Sequence, residues 1–407
     1  MPSALLYTVF EEHNRALWPL REFARVAAPV LGNGNFGEHR PHRHLAAALE
    51  VMRLAEITHR RPPWGIEHAG GFAVSEEVVL ATPFASLTRF VKHGAPAQTR
   101  VLIVAPMSGH FATLLRDTVH TMAAEHDVYV TDWASAREVP LRAGRFGLDD
   151  YTAHLMQFLR AMHAHDGTRP HLMAICQPCV AALAATALMS EDDDPATPAS
   201  LTLMAGPIDC RVSPTAVNAL ATAKSIEWFE HNLITHVPLP LKGAGRRVYP
   251  GFVQVGAFMG MNRQRHIDAF RTYYQGLVDD EPEVTEPIRR FYEEYLAVSD
   301  LPAEFYLETV RLVFQEYALP RGQLSWRGRK VDPSAIRRTA LLTVEGERDD
   351  ICAPGQTLAA QDLCSKLRPY MRTHTVQAGA GHYGVFSGRR WQRHIYPMVR
   401  DVIHISQ

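Results

Sequence analysis

The stretch that decides the fold covers residues 171–189 and reads HLMAICQPCVAALAATALM. Its first five residues are apolar enough for a buried strand, and the small residues from 180 onward predict a buried helix directly after it. Proline is tolerated at the start of a helix because its missing N–H has no helical partner there. The stretch is too short, and too interrupted by Gln177 and Pro178, for a membrane span. It therefore predicts a sharp strand-to-helix turn at Cys176.

Short apolar runs elsewhere in the chain predict further strands of the same sheet. Including the run at 171–175, the predicted strands cover residues 101–104, 128–131, 171–175, 201–204, 340–344 and 372–377. The first four are separated by helix-like stretches of the length that parallel strands need for their crossover connections. This alternation predicts an α/β fold with a mostly parallel sheet.

Two parts of the chain do not show this alternation of predicted strands and helices. Between residues 204 and 340 the sequence is aromatic and helix-like, which predicts an inserted, mainly helical cap. The first ninety residues read as a helical extension packed on the core, within which residues 74–90 look strand-like or mixed. We therefore expect a core from residues 91–206 and 336–407, a cap or lid at 207–335, and the extension at 1–90.

Composition and charge exclude several classes of protein. The 407 residues include 42 Lys and Arg against 43 Asp and Glu, a net charge of −1, so nothing favours binding to nucleic acid. Five cysteines, an odd number in a long chain, do not predict a disulfide framework and indicate a reducing compartment. The N-terminus has no basic stretch, and Glu11 and Glu12 end its apolar run, so it does not read as a signal peptide. We expect a cytoplasmic protein without a membrane span.

The turn at Cys176 has the position of a hydrolase nucleophile. In α/β-hydrolases the nucleophile lies on a strand-to-helix turn, usually G-x-S-x-G, with small residues two positions before and after it. Residues 174–178 read AICQP here, with cysteine in place of serine. A cysteine at a helix N-terminus is favoured as the thiolate, which makes Cys176 the candidate nucleophile.

Other interpretations of this cysteine stay open. A free cysteine after a buried strand is often an inert packing residue. The spacing between Cys176 and Cys179 is also that of a redox pair. A zinc site is not predicted, because the remaining cysteines, Cys210, Cys352 and Cys364, form no second pair at matching spacing.

The downstream sequence supplies an acid and a histidine in the order that an α/β-hydrolase triad requires. The strand at 340–344 leads into Asp349 and Asp350, and the last strand leads into the glycine-rich loop around His382. The histidine would take or hold the proton of the thiol, and the carboxylate would fix its tautomer. Asp349 is the candidate acid, with Asp350 in reserve.

An oxyanion hole needs two backbone N–H groups near the nucleophile. One is expected from Gln177, which follows the nucleophile. The other is expected from the loop after the first parallel strand, where Met107 is the first candidate and Ser108 the next. Ser108 and His110 are also candidates for binding substrate, although His110 can equally cap the following helix.

With these residues in place, the chain resembles the intracellular polyhydroxybutyrate (PHB) depolymerases. The resemblance runs along most of the chain, and the strings at the turn and in the cap are its most specific parts. The matching segments are Leu6-Tyr7, 128–133 (VYVTDW), 176–178 (CQP), 245–252 (GRRVYPGF), 259–262 (MGMN), 345–351 (EGERDDI) and 381–384 (GHYG).

The resemblance implies an α/β-hydrolase that degrades PHB storage polyester to 3-hydroxybutyrate and its oligomers in the cytoplasm, at the surface of PHB granules. It implies Cys176 as nucleophile, Asp349 as acid and His382 as base, with an acyl-cysteine intermediate. No metal or other cofactor is implied. The role of Cys179 and the oligomeric state stay open, and Arg246 and Arg247 read either as a product-carboxylate site or as structural ion pairs.

Two other functions are compatible with the same sequence. One is a cysteine acyltransferase or thiolytic enzyme acting on 3-hydroxyacyl groups, similar to PHB synthases, which also carry a cysteine on such a turn. The other is a non-catalytic granule-associated protein that keeps the fold. The turn lacks the glycines expected of a synthase, so we expect hydrolysis.

Overall fold

The computed structural model describes residues 3–32 and 40–407. The strands are β1 (His68–Ala69), β2 (Phe72–Ala81), β3 (Ala85–Lys92), β4 (Arg100–Val104), β5 (Asp127–Trp133), β6 (His171–Ile175), β7 (Ser200–Met204), β8 (Thr235–His236), β9 (Arg247–Tyr249), β10 (Leu301–Pro302), β11 (Ser325–Trp326), β12 (Arg329–Lys330), β13 (Ala340–Gly346) and β14 (Arg372–Gln377).

The helices lie before, between and after these strands. They are α1 (Ser3–Gly32), α2 (Arg40–Leu54), α3 (Arg116–Ala123), α4 (Leu148–His163), α5 (Cys179–Glu191), α6 (Ala216–Thr222), α7 (Ile226–Leu233), α8 (Gly251–Met261), α9 (Arg263–Asp279), α10 (Pro282–Tyr295), α11 (Ala303–Thr309), α12 (Ala359–Leu363), α13 (Gly388–Arg390) and α14 (Tyr396–Ile405). In the ranges that the structure describes, no helix combines the length and the apolar character needed to cross a membrane.

The main sheet has the strand order β1-β2-β3-β5-β4-β6-β7-β13-β14. Strand β3 runs antiparallel to both of its neighbours, whereas every pair from β5 to β14 is parallel. One antiparallel strand near an edge, followed by the exchanged pair β5–β4, is the arrangement of the α/β-hydrolase fold. The predicted fold class is confirmed.

The central strands form because their residues are apolar on both faces. Every residue of β4, β6 and β7 is buried, as expected for parallel strands that helices cover on both sides. Helix α5 is buried from Cys179 to Met189. Since parallel strands end at the same edge of a sheet, the residues that follow β6, β7 and β13 lie close together, and this edge carries the site described below.

All six strands predicted from the sequence form, and their observed ends lie within one or two residues of the predicted ones. The prediction of a helical extension over residues 1–90 is wrong in its second part. Helix α2 ends at Leu54, and residues 72–92 form β2 and β3. The physical reason is that β3 pairs with β5 inside the sheet and buries side chains on both of its faces, Ala85 and Leu87 on one and Phe90 on the other. Residues 1, 2 and 33–39 of the extension lie outside the described residues.

The segment between β7 and β13, residues 205–339, is called the insert below. It holds α6 to α11 and the short strands β8 to β12. Its aromatic side chains form a second hydrophobic core together with α1 and α2. Members of that core are Tyr7, Leu54, Phe252, Tyr273, Tyr292 and Tyr295. These aromatic residues are therefore packing residues. The boundaries proposed at residues 91, 206 and 336 stay predictions.

A buried carboxylate joins the insert to the N-terminal helices and the sheet. Asp300 is 1 % exposed and accepts hydrogen bonds from the Tyr7 hydroxyl, the His59 imidazole at 3.2 Å and the Gly251 amide at 2.9 Å. Its own amide donates to the Ser135 hydroxyl at 3.0 Å. Burial opposes ionisation, but His59 and these donors outweigh it and lower the pKa of Asp300. The cluster therefore holds an ionised carboxylate in the interior.

We expect Asp300→Ala to lower the free energy of unfolding by about 3 kcal/mol, because three buried donors lose their acceptor. Urea denaturation followed by circular dichroism measures the change. The matched control is Asp268→Ala on α9, since Asp268 is 58 % exposed and its partners are two side chains of its own helix, Gln264 and Arg271. Equal midpoints for the two variants would contradict the proposed role of the cluster.

Candidate active site

Cys176 lies on the sharp turn between β6 and α5. Its φ of +66° is in the left-handed region, which residues other than glycine rarely occupy. The turn is held by hydrogen bonds from the Cys176 amide to the Met204 carbonyl at 2.8 Å and from the Cys179 amide to the Cys176 carbonyl at 3.1 Å. Cys176 is partly exposed, whereas the other four cysteines are buried. A strained turn that presents its side chain is the geometry of a nucleophile elbow.

The elbow packs closely against the loop after β7. A Cβ on Gly206 would lie 2.2 Å from the Cβ of Cys179, so only glycine fits at this position. The Cys179 thiol donates to the carbonyls of Ala174 at 3.3 Å and Met204 at 3.6 Å. Burial raises the pKa of this thiol, with a smaller contribution from Cys176. Cys179 is therefore a protonated packing residue, which disfavours the redox-pair interpretation.

The structure brings Asp349 and His382 together. His382 Nδ1 lies 2.8 Å from Asp349 Oδ2, and both residues are buried. The other oxygen of Asp349 accepts hydrogen bonds from the amides of Ile351 at 2.9 Å and Cys352 at 2.8 Å. Asp350 is exposed and its carboxylate accepts from the Asn262 side chain instead, at 2.9 Å. Of the two adjacent aspartates, only Asp349 contacts the histidine.

The electrostatic surroundings of His382 favour its charged form. Burial by itself lowers the pKa of the imidazole. Electrostatic interactions of the ring with Asp349 and Cys176, and hydrogen bonds with both side chains, outweigh burial and raise the pKa of His382 well above the usual value. Cys176 therefore lies close to the imidazole of His382, which contacts Asp349 through Nδ1.

The two amides predicted for an oxyanion hole are free to donate. Within the described residues, neither the Gln177 N–H nor the Met107 N–H has a protein acceptor. Gln177 follows Cys176 directly, and Met107 lies in the loop after β4. The Gln177 side-chain oxygen is also buried without a partner in this part of the chain. The assignment of the oxyanion hole itself stays a prediction.

Ser108 and His110 lie in the same loop as Met107. Ser108 is partly exposed, whereas His110 is buried between the rings of Tyr295 and Phe258. Burial lowers the pKa of His110 to about 4, although a hydrogen bond with the Tyr295 backbone acts in the opposite direction. The imidazole is therefore neutral at physiological pH. Its Nε2 atom is buried and has no partner among the described residues. The assignment of Ser108 and His110 to substrate binding stays a prediction.

Two buried polar residues behind the site were not predicted. Glu345 accepts hydrogen bonds from the amides of Gly355, Thr357 and Leu358 at 2.7–2.9 Å. The Thr357 hydroxyl in turn contacts both the amide and the carbonyl of Gly206, at 2.8 and 3.0 Å. These contacts connect the strand that carries Asp349 to the elbow. The only sequence signal was a glutamate at the end of an apolar strand.

Arg246 and Arg247 are structural residues. The Arg246 guanidinium is buried and donates to the carbonyls of Val139, Pro140 and Gly144. Arg247 pairs with Glu230. The interpretation of this pair as a site for a product carboxylate is therefore wrong.

Side chains suited to metal binding do not cluster in the described ranges. No group of three or more His, Cys, Asp or Glu residues there is arranged to hold a metal ion.

Residues 205–407 match the family described as "PHB de-polymerase C-terminus". Through this half, the chain belongs to the PHB depolymerase family. The matched residues include Asp349 and His382, whereas Cys176 lies before them. Membership of this family assigns the chain to the hydrolases. No match is found among curated proteins.

Similar solved structures cover most of the chain. One is a thermophilic esterase from Thermogutta terrifontis, 16 % identical, with a TM-score of 0.40 and coverage of 81 % of this chain and 98 % of the esterase. A meta-cleavage product hydrolase from Pseudomonas fluorescens IP01 is 15 % identical, with a TM-score of 0.45 and coverage of 82 % and 99 %. A 2-hydroxy-6-oxo-6-phenylhexa-2,4-dienoate hydrolase from Rhodococcus sp. strain RHA1 is 13 % identical, with a TM-score of 0.42 and coverage of 82 % and 99 %.

We expect Cys176→Ala to lower the pKa of His382, because the variant loses both the charge and the hydrogen bond that favour the imidazolium. NMR titration of the His382 ring, assigned with His382→Gln, measures the shift. Cys364→Ala serves as the control, since Cys364 is buried at the end of α12. An unchanged His382 pKa in Cys176→Ala would show that the thiol and the imidazole do not interact.

Proposed function

We propose that this protein hydrolyses poly(3-hydroxybutyrate) to 3-hydroxybutyrate and short oligomers through an acyl-cysteine on Cys176. The observation that carries the proposal is the series of Cys176 on a strained turn, a buried His382 whose pKa its neighbours raise, and Asp349. Membership of the PHB depolymerase family supports the substrate class.

The first half of the reaction is acyl transfer to sulfur. Cys176 Sγ attacks the ester carbonyl and forms a carbon–sulfur bond, and the N–H groups of Gln177 and Met107 bind the developing oxyanion. Because the surroundings of His382 favour imidazolium, the ring holds a proton for the departing oxygen. The carbon–oxygen bond breaks, that proton moves to the alkoxide, and a hydroxyl-ended fragment leaves.

The second half returns the enzyme to its starting state. Neutral His382 takes a proton from water, which attacks the thioester carbonyl, and the carbon–sulfur bond breaks. Asp349 holds the imidazole orientation throughout, because its second oxygen is fixed by the amides of Ile351 and Cys352. The products are the thiolate–imidazolium pair and a carboxylic acid, which releases its proton to solvent and leaves as a carboxylate.

The proposal includes where the enzyme works. A polyester that is stored as granules in the cytoplasm requires an enzyme that meets the granule surface. We propose that the insert acts as the cap over the site, since α9, α10 and His382 line one cavity. We also propose cytoplasmic localisation at PHB granules.

We expect purified protein to clear a suspension of native-type amorphous PHB particles and to release 3-hydroxybutyrate or its oligomers. Cys176→Ala should reduce the rate by more than about 1,000-fold, because loss of a nucleophile removes the covalent route. Turbidity and product analysis measure the two effects, and circular dichroism verifies that the variant is folded.

Cys364→Ala is the matched control, since it removes a buried thiol far along the chain from the elbow. Equal clearing by Cys176→Ala and wild type would exclude the acyl-cysteine. No clearing by wild type on particles that another depolymerase degrades would exclude PHB hydrolysis. Release of thiol from a 3-hydroxyacyl thioester would then indicate the acyltransferase, and its absence would indicate a non-catalytic granule protein.

A further inference from the structure

A cavity of about 600 Å³ opens beside His382. Its walls come from α8, α9 and α10 of the insert and from the loops that follow β13 and β14. Apolar side chains such as Phe258, Ile288 and Phe291 form much of its surface. Its volume is within the range of small-molecule sites.

The cavity has a local excess of positive charge. Three arginines line it, Arg265, Arg348 and Arg390, against one carboxylate, Asp350. Asp350 is hydrogen-bonded to Asn262, and among residues 3–32 and 40–407 none of the three arginines forms a salt bridge. The whole chain carries a net charge of −1, so this excess belongs to the cavity and not to the protein in general.

Two of the arginines, Arg265 and Arg390, are exposed and lie near residues of the cavity wall and of the histidine loop. Burial raises the pKa of Tyr292 to about 12, and the nearby charge of Arg265 opposes that rise. Arg390 follows His382 in the sequence, but its side chain lies against the loop that precedes His382. A Cβ on Gly379 in that loop would be 3.1 Å from the Nη2 atom of Arg390. Both guanidinium groups therefore lie close to the cavity and to the histidine loop.

The cavity lies on the side of the leaving group. Its lining includes His382, Tyr383 and Gly381, but neither Cys176 nor Gln177. In the proposed reaction His382 protonates the departing oxygen, so the alkoxy part of the ester lies beside His382. In a 3-hydroxyacid polyester, the alkoxy part leads to the chain end that carries the free carboxylate.

We propose that this cavity is a leaving-group pocket in which Arg265, Arg348 and Arg390 bind the terminal carboxylate of a hydroxyacid chain. The inference rests on the proposed hydrolysis and adds the end of the chain that the enzyme recognises. Guanidinium groups bind carboxylates through charge-assisted hydrogen bonds, and the apolar walls suit the methyl-bearing units between carboxylate and scissile ester. Cleavage then starts from the carboxylate end and releases short hydroxy acids.

The test compares the 3-hydroxybutyrate trimer with the same trimer capped as its methyl ester. We expect wild type to have the higher kcat/KM for the free acid. The ratio of the two values should fall about three- to tenfold in Arg265→Gln and in Arg390→Gln, since exposed ion pairs contribute modestly. Added salt should also lower the ratio of free acid to methyl ester for wild type, because it screens the attraction between arginine and carboxylate.

Matched controls are Arg271→Gln, which lies on α9 and pairs with Asp268, and Arg389→Gln, which precedes Arg390 but does not line the cavity. Their ratios should equal that of wild type. A wild-type ratio near one, or equal losses on both trimers in the variants, would overturn the pocket while leaving hydrolysis intact. Lack of turnover on both trimers would instead exclude the proposed function.

Binding provides a readout that does not depend on turnover. Calorimetry with Cys176→Ala measures the affinity of the free-acid trimer and of its methyl ester. Tighter binding of the free acid, lost in Cys176→Ala combined with Arg265→Gln, supports the pocket. Equal affinities, or no binding of either trimer, would overturn it.

Discussion

The arrangement of the site depends on the left-handed backbone conformation of Cys176. This conformation is unfavourable by itself, so neighbouring segments must hold it in place. The Cys176 amide is tied to Met204 at the end of β7, and Gly206 leaves room for the Cys179 side chain. The Thr357 hydroxyl accepts a hydrogen bond from the Gly206 amide, and Glu345 accepts one from the amide of Thr357. Hydrogen bonds, together with the short backbone segment from Met204 to Gly206, therefore join the elbow to β13, which leads to Asp349. The separation of Cys176 and Asp349 is thus set by the sheet and these contacts.

The same edge of the sheet is enclosed by parts of the chain that are distant in sequence. The insert supplies the walls of the cavity beside His382, and α1 and α2 support the insert through a shared core. Asp300 connects these parts, because Tyr7, His59 and Gly251 all donate to it. The N-terminal helices therefore affect the site indirectly, through the position of the insert.

The central strands were predictable, because buried parallel strands leave apolar runs. The proximity of Asp349 and His382 was predictable too, because both residues follow strand ends at one edge of the sheet. The sequence left Asp350 as an alternative to Asp349, since adjacent residues differ only in where their side chains point. The structure shows that Asp349 is the one that contacts His382. Strands β2 and β3 were recognised only as a strand-like or mixed stretch at residues 74–90, because their half-exposed residues leave no continuous apolar run. The Asp300 cluster and the arginine cavity were not predictable, because they join residues such as Tyr7 and Asp300, 293 positions apart.

The most direct test of the account is a search for the acyl-cysteine itself. Wild type is mixed with the p-nitrophenyl ester of 3-hydroxybutyrate, quenched in acid during turnover and examined by intact-protein and peptide mass spectrometry. The account predicts one hydroxybutyryl group on the peptide that contains Cys176, formed and lost at rates that match turnover. Turnover without that adduct, or an adduct on another residue such as Ser108, would contradict it.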